Sequence, residues 1–66
     1  MEVKYKEFSI ITSAECDDNS NLWNGRYRIM DGKGVVAYES FAEPCSDEKQ
    51  AQDAAIKSAH EWVDTQ

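Results

Sequence analysis

Residues 22–30 alternate strictly. Trp23, Tyr27 and Ile29 fall on one side of an extended chain, with Gly25 between them; Asn24, Arg26 and Arg28 fall on the other. A period of two is the pattern of a half-buried strand. Asp31-Gly32-Lys33-Gly34 follows at once and reads as a hairpin turn, because glycine supplies the positive φ that tight turns need. A strand that ends in a hairpin commits the chain to an antiparallel sheet, and the remaining segments must fit around that commitment.

Two further runs are strand-like. Residues 3–13 alternate but change phase: Val3 and Tyr5 share one face, while Phe8, Ile10 and Thr12 share the other. A bulge near Lys6 and Glu7 reconciles the halves. Residues 15–21 are dense in turn formers and read as a loop. The third run, residues 35–42, places Val35, Ala37 and Phe41 on one side and Val36 and Tyr38 on the other. Both sides are partly apolar, so the pattern leaves open which faces inward.

Pro44-Cys45 ends that strand and Ser46 is placed to cap a helix, with Asp47 and Glu48 suited to its positive end. The helix is expected over 47–65. Ala51, Ala54, Ala55, Ser58, Ala59 and Trp62 form one stripe, with Ile56 and Val63 at its margin. Lys49, Asp53, Lys57, His60 and Asp64 occupy the opposite side, where Asp53 and Lys57 are spaced for an i,i+4 pair. Small alanines let the helix backbone approach the sheet, and Phe8, Trp23 and Tyr27 supply bulk from below. The expected fold class is α+β: a three-stranded antiparallel meander with one C-terminal helix packed on one face, β-β-β-α. Residues 1–66 form a single domain in this reading.

At 66 residues such a chain buries only about 60 % of its unfolded surface, and a single core of this size contributes about 3–5 kcal/mol. The seven aromatics suffice for one small core, and a net charge of −6 repels polyanions. No apolar run is long enough for a membrane span or a secretory leader, and two cysteines do not make a secreted disulfide framework. The expected compartment is the reducing cytoplasm.

The order of elements resembles the HicB-type antitoxin fold, a double-stranded-RNA-binding topology without its first helix, and short bacterial β-β-β-α proteins of the same plan. Gly25-Arg26-Tyr27-Arg28-Ile29, Pro44-Cys45-Ser46 and the alanine-rich residues 51–63 carry the likeness, which covers about two-thirds of the chain. The chain departs from that pattern in the turn before the helix, which lacks glycines, and it has no appended DNA-binding segment. The resemblance implies a regulator associated with nucleic acid.

The residues themselves point elsewhere. Nucleic-acid affinity comes mainly from phosphate neutralisation, and seven basic residues stand against thirteen acidic ones. Alternation turns Tyr27 away from Arg26 and Arg28, so the ring cannot stack on a base those arginines hold. Cys16, Cys45 and His60, with Asp17 and Asp18, lack the paired short spacing of a zinc site. A Cys16–Cys45 disulfide must span two strand separations, about 9.6 Å, beyond the reach of a bridge unless the loops bend, and so is expected only in an oxidising compartment. Asp17-x-Asn19-x-Asn21 begins like a calcium loop, but Leu22 and Arg28 stand where glycine and glutamate belong. Gly32-Lys33-Gly34 lacks the spacing of a phosphate loop. With one histidine and little room for a pocket, no catalytic group, cofactor or metal is expected, and the chain reads as a non-enzyme.

One surface stands out. A single helix covers one sheet face, yet apolar side chains fall on both. Arg26, Arg28, Met30, Val36 and Tyr38 are the expected partner-binding residues, a mixture of aromatic, aliphatic and arginine side chains suited to an interface. The third strand also offers an edge without charge, Val35-Val36-Ala37-Tyr38, to which a partner strand can add. The expected function is therefore a small acidic interaction module that binds a protein partner or a second copy of itself. The alternative is an antitoxin-type regulator.

Overall fold

A computed structural model describes residues 2–66. Its elements are β1 (Glu2–Tyr5), β2 (Phe8–Asp17), β3 (Leu22–Met30), β4 (Val36–Phe41) and α1 (Glu48–Asp64). The strands form one antiparallel sheet in the order β1-β2-β3-β4. The α+β class and the C-terminal helix agree with the sequence reading; the sheet has four strands instead of three.

The extra strand comes from the phase change at Lys6-Glu7. Tyr5 pairs with Phe8, so the chain folds back over two residues instead of bulging. Lys6 takes a φ of 56° at the first turn position, a conformation usually left to glycine or asparagine. A bulge and a two-residue hairpin both bring Tyr5 and Phe8 to the same face, so periodicity does not separate them. β2 also runs on to Asp17 instead of stopping near Ser13. Only residues 18–21 turn, held by a bond from the Asn21 amide to the Asp17 carbonyl at 2.7 Å.

The hairpin after β3 forms as its glycines suggest. Gly34 has a φ of 81°, and the Asp31 carboxylate accepts from the amides of Lys33 (2.8 Å) and Val35 (3.0 Å). Past β4, the chain keeps pairing with β3: the amides and carbonyls of Cys45 and Trp23 bond reciprocally at 2.8 Å. Asp47, not Ser46, then caps the helix. Its backbone is extended and its carboxylate accepts from the Gln50 amide at 2.7 Å. Asp53 pairs one turn back with Lys49, at 3.1 Å, instead of forward with Lys57.

The alanine stripe seats the helix on the sheet. Ala51, Ala55, Ala59 and Val63 are buried at i,i+4 spacing. Beneath them lie Ile10, Tyr27 and Ile29. Gly25 permits the closest approach: a Cβ placed there would lie 2.2 Å from the Ala51 carbonyl oxygen. Trp62 closes the far end, edge-on to Phe8 and stacked on Tyr38. Trp23 faces the same way as Tyr27 but is only half-buried and stands outside the core cluster.

Candidate functional site

The helix leaves one sheet face uncovered, and strand register fixes what that face displays. One row across the sheet reads Glu2, Ile11, Arg28, Glu39. The next reads Lys4, Ser9, Met30, Val36. On the other side lie Ser13, Arg26 and Phe41. Directly opposed residues in a sheet share a face, so these side chains form one continuous surface. Ile11, Leu22, Val36 and Phe41 on it are 39 %, 38 %, 47 % and 67 % exposed. A depression of ≈ 470 Å³ opens beside Lys4, Ser9, Ile11 and Met30, and one of ≈ 200 Å³ lies between Ile11, Ser13, Arg26 and Arg28.

The two arginines share one carboxylate. Arg26 Nη2 donates to Glu39 Oε1 at 2.5 Å, and Arg28 Nε donates to Glu39 Oε2 at 2.6 Å. The hydrogen bonds from Arg26 and then Arg28 hold the Glu39 carboxyl below its ordinary range. Tyr27, between them in sequence, turns its ring to the other face and is 6 % exposed. Each guanidinium spends one of its five N–H donors on Glu39, and that carboxylate partly neutralises the charge a phosphate would seek.

Four of the five expected interface residues, Arg26, Arg28, Met30 and Val36, lie together on the open face. Tyr38 does not. It stacks on Trp62 with ring centroids 5.2 Å apart and lies 6.1 Å from Tyr27, on the helix side. The cause is an irregularity in β4. Val36 pairs with Met30 and Tyr38 pairs with the adjacent Ile29, leaving Ala37 as an extra residue. That residue turns Val36 and Tyr38 to opposite faces. Ile11, Phe41 and Glu39 join them on this surface; alternation alone turns Ile11 away from Ile10, whereas the placement of Phe41 and Glu39 depends on the register of β4. Phe41 and Glu39 are two positions apart on β4, the one available hint.

A second polar cluster lies at the end of the helix. The sequence put His60 on a solvent face, but the unforeseen β1 covers that side. The His60 ring stacks on Tyr5 at 4.1 Å, and its Nε2 is buried without a hydrogen-bond partner among the described residues. Asp64 accepts from the Tyr5 hydroxyl and from Lys6 Nζ, both at 2.8 Å. Lys6 first, then Tyr5, holds the Asp64 carboxyl below its usual range, while the bond to Asp64 raises both partners.

These shifts set a pH window. Carboxyls depressed by folding, Asp64 and Glu39, add stability above the ordinary carboxylate pKa of about 4 and lose it as pH falls through their lower folded values. Lys6 and Tyr5, raised by folding, add stability below about 10 and lose it as pH climbs through their higher folded values. Thermal melting followed from pH 2 to 11 is expected to give a plateau with two falling limbs. Asp64→Asn should shrink both limbs; an unchanged profile would show that the cluster does not form. The groups are exposed, so the effect is modest.

Cys16 and Cys45 both pair across from Trp23, one on each side of it, and both thiols are free. Among the described residues no three His, Cys, Asp or Glu side chains gather as metal ligands do. No helix among them is long and apolar enough to cross a membrane.

Fold and surface together define the class: a four-stranded antiparallel meander backed by one helix, with the opposite sheet face uncovered. No family model, curated protein or solved structure matches the chain.

Proposed function

We propose that the protein is a non-enzymatic interaction module whose working surface is the open sheet face, with the outer edge of β4 as a second attachment line. One observation carries the reading. Ile11, Leu22, Val36 and Phe41 share a face and all remain more than one-third exposed, while among the described residues the largest fully buried side chains are Ile10, Ile29 and Val63. Apolar area left outside so small a core favours association. β1, the other edge, is short and carries Lys4, whereas β4 has no charge pointing outward except Glu39, which the arginines hold.

The alternative, an antitoxin-type regulator on nucleic acid, asks Arg26 and Arg28 to hold phosphate beside the Glu39 carboxylate, in a chain of net charge −6. Salt separates the readings. Anisotropy with labelled duplex DNA and RNA at low salt is expected to show no binding. Binding that collapses as salt is added, the mark of released counterions, would overturn the module in favour of the regulator.

A further inference from the structure

We infer that the occupant of the open face is a second copy of this chain, a conclusion that rests on that face being the working surface. Three properties of the face point to self-association over a foreign partner.

The first is charge balance. The face carries three cationic side chains, Lys4, Arg26 and Arg28, against four anionic ones, Glu2, Glu15, Asp17 and Glu39, by strand register. Its net charge is −1, so −5 of the chain's −6 lies on the helix side and in the turns. A two-fold interface sets one patch against itself, so a patch of a single sign repels its own copy. This face, nearly neutral and of mixed sign within a strongly acidic chain, meets the condition; a basic partner would find its charge complement on the helix side instead.

The second is unused bonding capacity. Among the described residues Glu2, Glu15 and Lys4 make no ion pair, whereas Arg26 and Arg28 each spend one donor on Glu39. A guanidinium has five N–H donors. Free carboxylates and spare guanidinium donors on the same face give a copy reciprocal partners for both.

The third is area. The domain is 37 Å long and 15–18 Å across, so a face-to-face pair hides about 600 Å² on each copy, about 1,200 Å² in all, the lower end of stable interfaces. Stacked sheets pack about 10 Å apart, close enough for Ile11, Met30 and Phe41 to interdigitate with their counterparts. The pairing would double the apolar layers around a core that alone holds few large side chains.

Sedimentation equilibrium from micromolar to millimolar protein tests the inference. The expected mass climbs to twice the 7.5 kDa of the monomer. Phe41→Asp and Ile11→Asp should each weaken the dimer about ten-fold or more, with the helical circular dichroism retained. Phe41 is 67 % exposed, so that variant reports on association even if Ile11→Asp disturbs folding. A mass fixed at the monomer throughout, or variants that dimerise as tightly as the parent, overturns the second copy as occupant. The same variants in affinity capture then judge the wider reading. A foreign protein held by the parent and lost by Phe41→Asp keeps the open face as a working surface with a different occupant. Capture unaffected by both substitutions removes that as well.

Discussion

Gly25→Ala is expected to remove a large share of the protein's folding stability. The added methyl would sit 2.2 Å from the Ala51 carbonyl oxygen, 3.0 Å from its carbon and 3.3 Å from the Ala55 Cβ. The first two are helix backbone, which no rotamer change can move aside. Relief requires lifting α1 by about 1 Å, which loosens the packing of Ala55, Ala59 and Val63 on β3 and β2. Overpacking of this kind costs about 1–3 kcal/mol and occasionally more, and a single core of this size supplies only about 3–5 kcal/mol. The strain is spatial: among the glycines only Gly34 has a positive φ. Gly34→Ala therefore serves as a contrast, since nothing lies within 4 Å of its added Cβ and the cost is that of a left-handed alanine, about 1–2 kcal/mol. Urea melts should rank Gly25→Ala as the more damaging. A Gly25→Ala variant within about 0.5 kcal/mol of the parent, the range of an ordinary surface change, would mean that the helix is not seated on β3.

That seat was half legible in the sequence. The alanine stripe announced a helix that lies close to a sheet, and the alternation around Tyr27 named the strand beneath it. Gly25 passed as a gap in the strand's inward face because its purpose is set by a helix that begins 23 residues later. The same alternation separated Arg26 and Arg28 from Tyr27 correctly, but their shared partner Glu39 depends on the register of β4, which no local pattern encodes. The Lys6-Glu7 turn was the most consequential omission. Its residues carry no turn signature, and a pattern that runs β1 into β2 hides both the cover that Tyr5 gives His60 and the bonds to Asp64. Parity places Tyr38 on the open face for a related reason: parity along residues 35–42 holds only without an inserted residue, and Ala37 is one. Local chemistry thus revealed which side chains are apolar and which turns contain glycine, while long-range pairing decided which of them meet.

Ile10→Ala and Ile11→Ala, neighbours in sequence, are expected to differ by several-fold in cost. Ile10 has no exposed surface; it opposes Ile29, equally buried, on β3 and Val3 on β1, and lies beneath the helix in the core cluster. Removing its three carbons leaves a cavity bounded by sheet and helix, neither of which can collapse without separating the alanine stripe from its seat. Such truncations cost about 2–5 kcal/mol, enough to consume most of the stability of a domain this small. Ile11 points the opposite way, 39 % exposed between Glu2 and Arg28, and its truncation in the monomer should cost about 1 kcal/mol or less. Denaturant unfolding at micromolar protein, where the monomer dominates, reads this difference directly. At higher concentration the gap should narrow, because Ile11→Ala then also weakens the pairing of open faces and gives up the stability that mass action adds to a dimer. Equal costs for the two isoleucines in the monomer would mean that the sheet is covered on both sides within one chain. A gap that stays constant as protein concentration rises would leave Ile11 exposed with no partner to bury it, and the apolar face without the role assigned to it.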